Sequence, residues 1–191
     1  MNEVRAASVI KWAWGLTLSL VSATALGTTS NGPSQYEVMA AYLFNFSKFV
    51  EWPEGTFAEA TDPITICVLG ESPIGTPLGD TVKGKQVKGR EVLVREASSI
   101  AKTAGCHIIF LASSERRRLD DQLASLADRP VLTVGDARWV ADRGAVIGLT
   151  LEERRVRIEV NMIAADRARL RLSSQLLKVA VRLIGQRDQG Q

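Results

Sequence analysis

Four short apolar runs alternate with helical segments along this chain, and that alternation decides which class of fold is open to it. Ile64-Thr65-Ile66-Cys67-Val68-Leu69, residues 90–95, His107-Ile108-Ile109-Phe110-Leu111 and Val131-Leu132-Thr133-Val134 read as strands. Between them, residues 74–82 suit a short helix, residues 98–104 a helical turn or two, and residues 115–127 an amphipathic helix. Strands alternating with helices build a parallel sheet with right-handed crossovers. A brief helix is expected at residues 138–142, after which the grammar changes. Residues 145–149 and 155–160 are two strands close enough for a hairpin over Glu152-Glu153, and their alternation leaves one face wet. Asn161 then opens a long helical region reaching about Ile184. The expectation is an α/β fold: a Rossmann-like, mostly parallel sheet flanked by helices, with a C-terminal antiparallel hairpin.

Ahead of this core lies a helix over residues 36–50, in which Met39, Leu43, Phe46 and Val50 form one apolar stripe and Tyr42 and Phe49 a second. Such a helix is covered on more than one side. Pro53 is expected to end it, because the residue before a proline avoids helical geometry. Further upstream, Arg5 and Lys11 precede the apolar stretch from Trp12 to Leu26, and Ala23-Thr24-Ala25 is an A-x-A pattern. That is the make-up of a secretory signal peptide. The apolar stretch is shorter than the roughly 20 residues a membrane span needs, and Gly, Ser and Thr interrupt it. The organisation read from the sequence is a signal peptide at 1–25 cleaved after Ala25, a polar linker at 26–35 and a single domain at 36–191, placed in the periplasm.

Composition argues against most chemistry. One His and two Cys cannot supply the usual metal ligand sets, so neither a metal nor a cofactor is expected. Gly70-x-x-x-x-Gly75-Thr76 lacks the Lys of a phosphate loop, and Pro73 and Pro77 remove amides the cradle would use. His107 adjoins Cys106, but neighbours on a strand face opposite ways, so a Cys–His dyad is disfavoured and a structural His expected. Ser173 and Ser174 have no base to activate them. Charge is uneven: residues 26–137 carry 11 Lys/Arg against 14 Asp/Glu, residues 138–191 carry 11 against 6. The near-neutral balance argues against nucleic acid, while the basic C-terminal part suits an acidic protein partner or simply a solvated face.

An even cysteine count in an exported chain suggests a disulfide. In a 2-1-3 strand order the strands of Cys67 and Cys106 are neighbours, at a spacing that permits a bridge. Two buried free thiols are the alternative.

Several segments together resemble a known family. They are residues 36–53, ending Lys48-Phe49-Val50-Glu51-Trp52-Pro53; Ile66-Cys67-Val68-Leu69-Gly70; Gly105-Cys106-His107-Ile108-Ile109-Phe110; Val156-Arg157-Ile158-Glu159-Val160-Asn161; and Leu170-Arg171-Leu172-Ser173-Ser174-Gln175-Leu176-Leu177. In that order they resemble the YfiR family of small periplasmic proteins. The resemblance implies a non-enzymatic repressor that binds the periplasmic domain of a membrane-bound diguanylate cyclase. An outer-membrane lipoprotein and a second copy of the chain are further candidate partners. Cys67 and Cys106 match the family's main cysteine pair, whereas a second pair near the hairpin is missing here. Two partner surfaces are expected: Lys48, Phe49, Glu51 and Trp52 at the end of the first helix, and Glu159, Asn161, Arg169 and Arg171 at the basic C-terminal junction. Phe49 and Trp52 could instead cap the core. A small-ligand module, with the loops after Leu69 and Leu111 lining the pocket, is the alternative function.

Overall fold

The computed structural model describes residues 32–185, so the signal peptide, its cleavage after Ala25 and most of the 26–35 linker lie outside the described residues. The chain enters at α1 (Gln35–Phe49), which starts on a capping box: the Ser34 hydroxyl accepts from the Glu37 amide, and the Glu37 carboxylate accepts from the Ser34 amide. Met39, Leu43, Phe46 and Val50 are all buried, and Tyr42 and Phe49 half-buried, as the two stripes required. The helix nevertheless stops before Pro53 can act. Val50–Glu51 turn extended as β1, because a distant segment offers their backbone a partner.

An alternating succession follows: β2 (Ile64–Leu69), α2 (Gly75–Val82), β3 (Gln86–Val87), β4 (Arg90–Ala97), β5 (Ile108–Leu111), α3 (Leu119–Leu126) and β6 (Leu132–Gly135). Single 3-10 turns at Ile100–Thr103 and Ser113–Glu115 complete the crossovers. The helix expected from Glu115 is thus shorter and divided. Glu115 itself is buried, and its carboxylate faces inward instead of lying on a helix surface. The segment expected as a brief helix at 138–142 is a run of turns, with Trp139 at φ 61°.

The hairpin is β7 (Ile147–Glu152) and β8 (Arg155–Asn161), turning on Glu153-Arg154, one residue later than expected. Both turn residues sit at positive φ, 47° and 63°, the primed geometry that matches strand twist. The long final helix does not form. Its place is taken by α4 (Met162–Arg167), β9 (Arg171–Leu172), α5 (Ser174–Val179) and β10 (Arg182–Ile184). Three local features break it. Arg169 is left-handed at φ 57°, Ser173 accepts from the Leu176 amide and restarts a helix, and the Ser173 amide donates to the Phe49 carbonyl at 2.9 Å.

The main sheet runs β10-β8-β7-β6-β5-β2-β4-β3, parallel except at β3–β4 and β7–β8, and β1–β9 forms a separate antiparallel pair. Ile64, Ile66 and Val68 join a core layer shared with α1 and α2. Cys67 and Leu69, with opposite parity, join the second layer under α3. Within it Cys67 and Cys106 are bonded, their Cα atoms 5.9 Å apart, as the strand order β4-β2-β5 allows.

Candidate interaction surface

At the amino-terminal edge of the parallel strands, β1 and β9 bring together residues far apart in sequence. Glu51 pairs in register with Arg171, their charged groups 4.0 Å apart, so the two expected patches meet at this point. Lys48, Glu51, Arg169 and Arg171 are exposed. Lys48 is partly committed to its own helix: its Nζ donates to Asn45 Oδ1 at 3.1 Å and lies 4.4 Å from the Phe44 ring centre. Phe49 and Trp52 are half-buried against the first core layer.

Trp52 has a socket of its own. Its Nε1 donates to the His107 carbonyl at 3.3 Å, and its ring stands edge-on to Phe57 and His107. Phe57 stacks flat on His107, centroids 4.4 Å apart, and the Arg90 guanidinium covers the other face of Phe57 at 3.9 Å. Arg90 is fixed by the Glu59 and Asp62 carbonyls, each 2.8 Å away. His107 Nδ1 accepts from the Thr65 amide at 3.1 Å, which requires the neutral ring. Burial, and then the Arg90 charge, hold its pKa below the ordinary 6.5. The imidazole is a structural staple between β2 and β5, set beside the disulfide. Arg95 adds to this joint, donating to the Ala104 carbonyl at 2.7 Å and lying 3.0 Å from Cys106 Sγ.

Asn161 and Glu159 are occupied within the molecule. Asn161 is buried, caps α4 by accepting from the Ala164 amide at 2.9 Å, and donates to the Ala141 carbonyl at 2.7 Å. Glu159 accepts from Arg182 Nε and Nη2, and Arg182 also binds the Asp142 carboxylate. Those hydrogen bonds lower the Asp142 pKa and raise that of Arg182. The junction therefore holds β10 against β8, and only Arg169 and Arg171 of that patch face solvent.

The carboxyl-terminal edge looks different. At the switch point between β4, β2 and β5 a crevice of about 590 Å³ opens between the loops after Leu69 and Leu111. Its buried carboxylate, Glu115, is already held by Arg118 at 3.0 Å and Gln122 at 2.6 Å. Gly70, at φ 90°, lets the backbone pass this carboxylate, for a Cβ there would lie 2.6 Å from Glu115 Cγ. Two residues by the next strands matter more. Trp139, 60% exposed with Arg138 over its ring at 5.2 Å, and Asp136, whose pKa burial raises, were not singled out by sequence. The available signal was a lone Trp in a polar stretch closed by Gly144, a turn pattern rather than a helical one. Among the described residues no group of three His, Cys, Asp or Glu gathers as metal ligands would, and no helix is long and apolar enough to cross a membrane.

An α/β sheet of this kind recurs among solved structures. A conserved domain protein from Vibrio cholerae aligns at a TM-score of 0.53 and 12% identity, over 78% of this chain and 60% of that one. A structure described as the ABC domain in complex with L-Trp, from Streptococcus pneumoniae, aligns at 0.50 and 11% identity, over 63% and 55%. The chain thus spans less than two thirds of either protein, and at such identities the likeness is one of fold. Residues 36–181 match the model of the YfiR/HmsC-like family, and the chain belongs to that family.

Proposed function

We propose that this chain is an exported repressor that binds the periplasmic domain of an inner-membrane diguanylate cyclase and keeps cyclic di-GMP synthesis low. The observation that carries the reading is the family match over residues 36–181, since the YfiR/HmsC-like family is regulatory and periplasmic. A surface centred on the β1–β9 pair supports it, with exposed Lys48, Glu51, Arg169 and Arg171 arranged around half-buried Phe49 and Trp52. Charged groups at such a rim steer an acidic partner and give salt-dependent association.

Repression needs no chemistry of its own. The chain must bind the inactive cyclase state more tightly than the active one, because equal affinity shifts nothing. A hundredfold difference corresponds to about 2.7 kcal/mol, within reach of a few well-placed contacts. An outer-membrane lipoprotein competing for the same surface would relieve repression, and self-association would reduce the free repressor. The test is site-specific photocrosslinking from position 48 or 171 in cells, followed by mass spectrometry. Adducts with the periplasmic segment of a membrane-bound cyclase support the reading. Adducts confined to other proteins, or none from either position, overturn it.

A further inference from the structure

The wet face of the β7–β8 hairpin does not end in open solvent. The turn at residues 136–139 borders it and leaves a cleft of about 310 Å³, lined by Asp136, Arg138, Trp139, Thr150, Leu151, Glu152 and Glu159. Three observations set this cleft apart from the crevice at the switch point. First, Asp136 Oδ1 and Thr150 Oγ1 are buried atoms with no hydrogen-bond partner among the described residues; Arg157 Nε, across the strand pair from Thr150, also lacks one and is turned to Glu152 at 3.8 Å. Buried polar atoms are nearly always paired, so two orphaned oxygens beside one cleft mark a place where a donor belongs. Second, the walls present three carboxylates against one guanidinium. Glu159 is taken up by Arg182, and Glu152 has Arg157 at 3.8 Å, while the Asp136 carboxylate is supported by Ser113 and its own backbone amide and by no cation. Burial raises the Asp136 pKa, the behaviour of a carboxylate that lacks a cation. Third, Trp139 at the mouth is 60% exposed. Trp139 is displayed there by a left-handed backbone, a costly conformation for a bulky residue.

We propose that this cleft binds a cationic nitrogen carried on an alkyl chain, an alkylammonium or alkylguanidinium group. The charged nitrogen donates to Asp136 and Thr150, and the methylenes lie against Trp139, as an amphipathic cation requires. Arg138 covers one face of the indole and leaves the other to the ligand. A free amine and a Lys or Arg side chain of a partner protein share this chemistry.

Calorimetric titration of the purified protein distinguishes the sources. Agmatine and n-pentylamine represent the free amine, N-acetyl-Gly-Arg-Gly-amide represents a partner side chain, and n-pentanol is the uncharged control. Binding of either amine assigns the cleft to a small ligand; binding of the peptide alone assigns it to a partner. In either case n-pentanol should not bind, and Asp136→Asn should weaken the cationic probe by about tenfold or more. Trp139→Ala, at an exposed position, serves where Asp136→Asn does not fold, and should weaken the same probe. The proposal is overturned if no cationic probe binds at millimolar concentration, if n-pentanol binds as well as n-pentylamine, or if the folded variants bind unchanged.

Discussion

Two tryptophans stand at opposite edges of the same sheet and illustrate two uses of one side chain. Trp52, at the amino-terminal edge, is half-buried, hydrogen-bonded through Nε1 and packed edge-on against Phe57 and His107. Trp139, at the carboxyl-terminal edge, is mostly exposed, sits at a left-handed φ and overhangs a cleft with unpaired oxygens. The first edge is internally satisfied around Trp52: stack, staple and disulfide leave little for a small ligand to complete, and only the exposed charges of Lys48, Glu51, Arg169 and Arg171 are offered to a protein partner. The second is unfinished. An aromatic residue before a proline reads either as an exposed anchor or as a cap on the core, and its neighbours decide: Phe57, His107 and Arg90 build a socket for Trp52.

The largest expected effect is at the closed edge. Cys67→Ser removes a bridge spanning 39 residues and should lower stability by about 4 kcal/mol in the chain-entropy model. Urea unfolding with and without reductant checks it, and unchanged stability would remove the disulfide from the account. Next comes the comparison itself. Trp52→Ala should cost about 2–3 kcal/mol through lost packing and the loss of a second hydrogen bond to the His107 carbonyl, which keeps the Leu132 amide, whereas Trp139→Ala should stay within about 0.5 kcal/mol. Equal losses would break the distinction between the two edges.

Acid gives a further contrast. Because burial and Arg90 depress the His107 pKa, the folded protein binds fewer protons than the unfolded chain below pH 6.5. Stability from this group is whole above pH 6.5 and is lost as pH falls towards the folded value. Thermal unfolding over that range should show the decline, and His107→Asn, which keeps an acceptor near the Thr65 amide, should flatten it. The smallest effect is a gain. Trp139→Gly relieves the left-handed backbone and should raise stability by roughly 1 kcal/mol, measurable as a shift in the unfolding midpoint.

Much of the fold was legible because its signals are local and repeated. The β-branched run Ile64–Leu69 is a strand from end to end, and the cysteine pair followed once β2 and β5 were neighbours. Where the reading failed, a distant partner decided. Val50–Glu51 left the helix for Arg171–Leu172, and the last helix broke where Arg169 turned left-handed and Ser173 bonded Phe49. The site was less legible still. Asn161 looked like a surface polar residue until its side chain was seen bonding Ala141 and Ala164, and Trp139 was hidden in an expected helix. Neither residue's role follows from spacing, because each is set by contacts across the sheet.

The central claim is that this chain lowers cyclic di-GMP by restraining a membrane-bound cyclase. The measurement that tests it most directly is the cellular cyclic di-GMP level in a strain lacking the gene, with and without the wild-type copy restored. If the chain is the repressor proposed, the level rises on deletion and complementation reverses the rise. An unchanged level on deletion would contradict it.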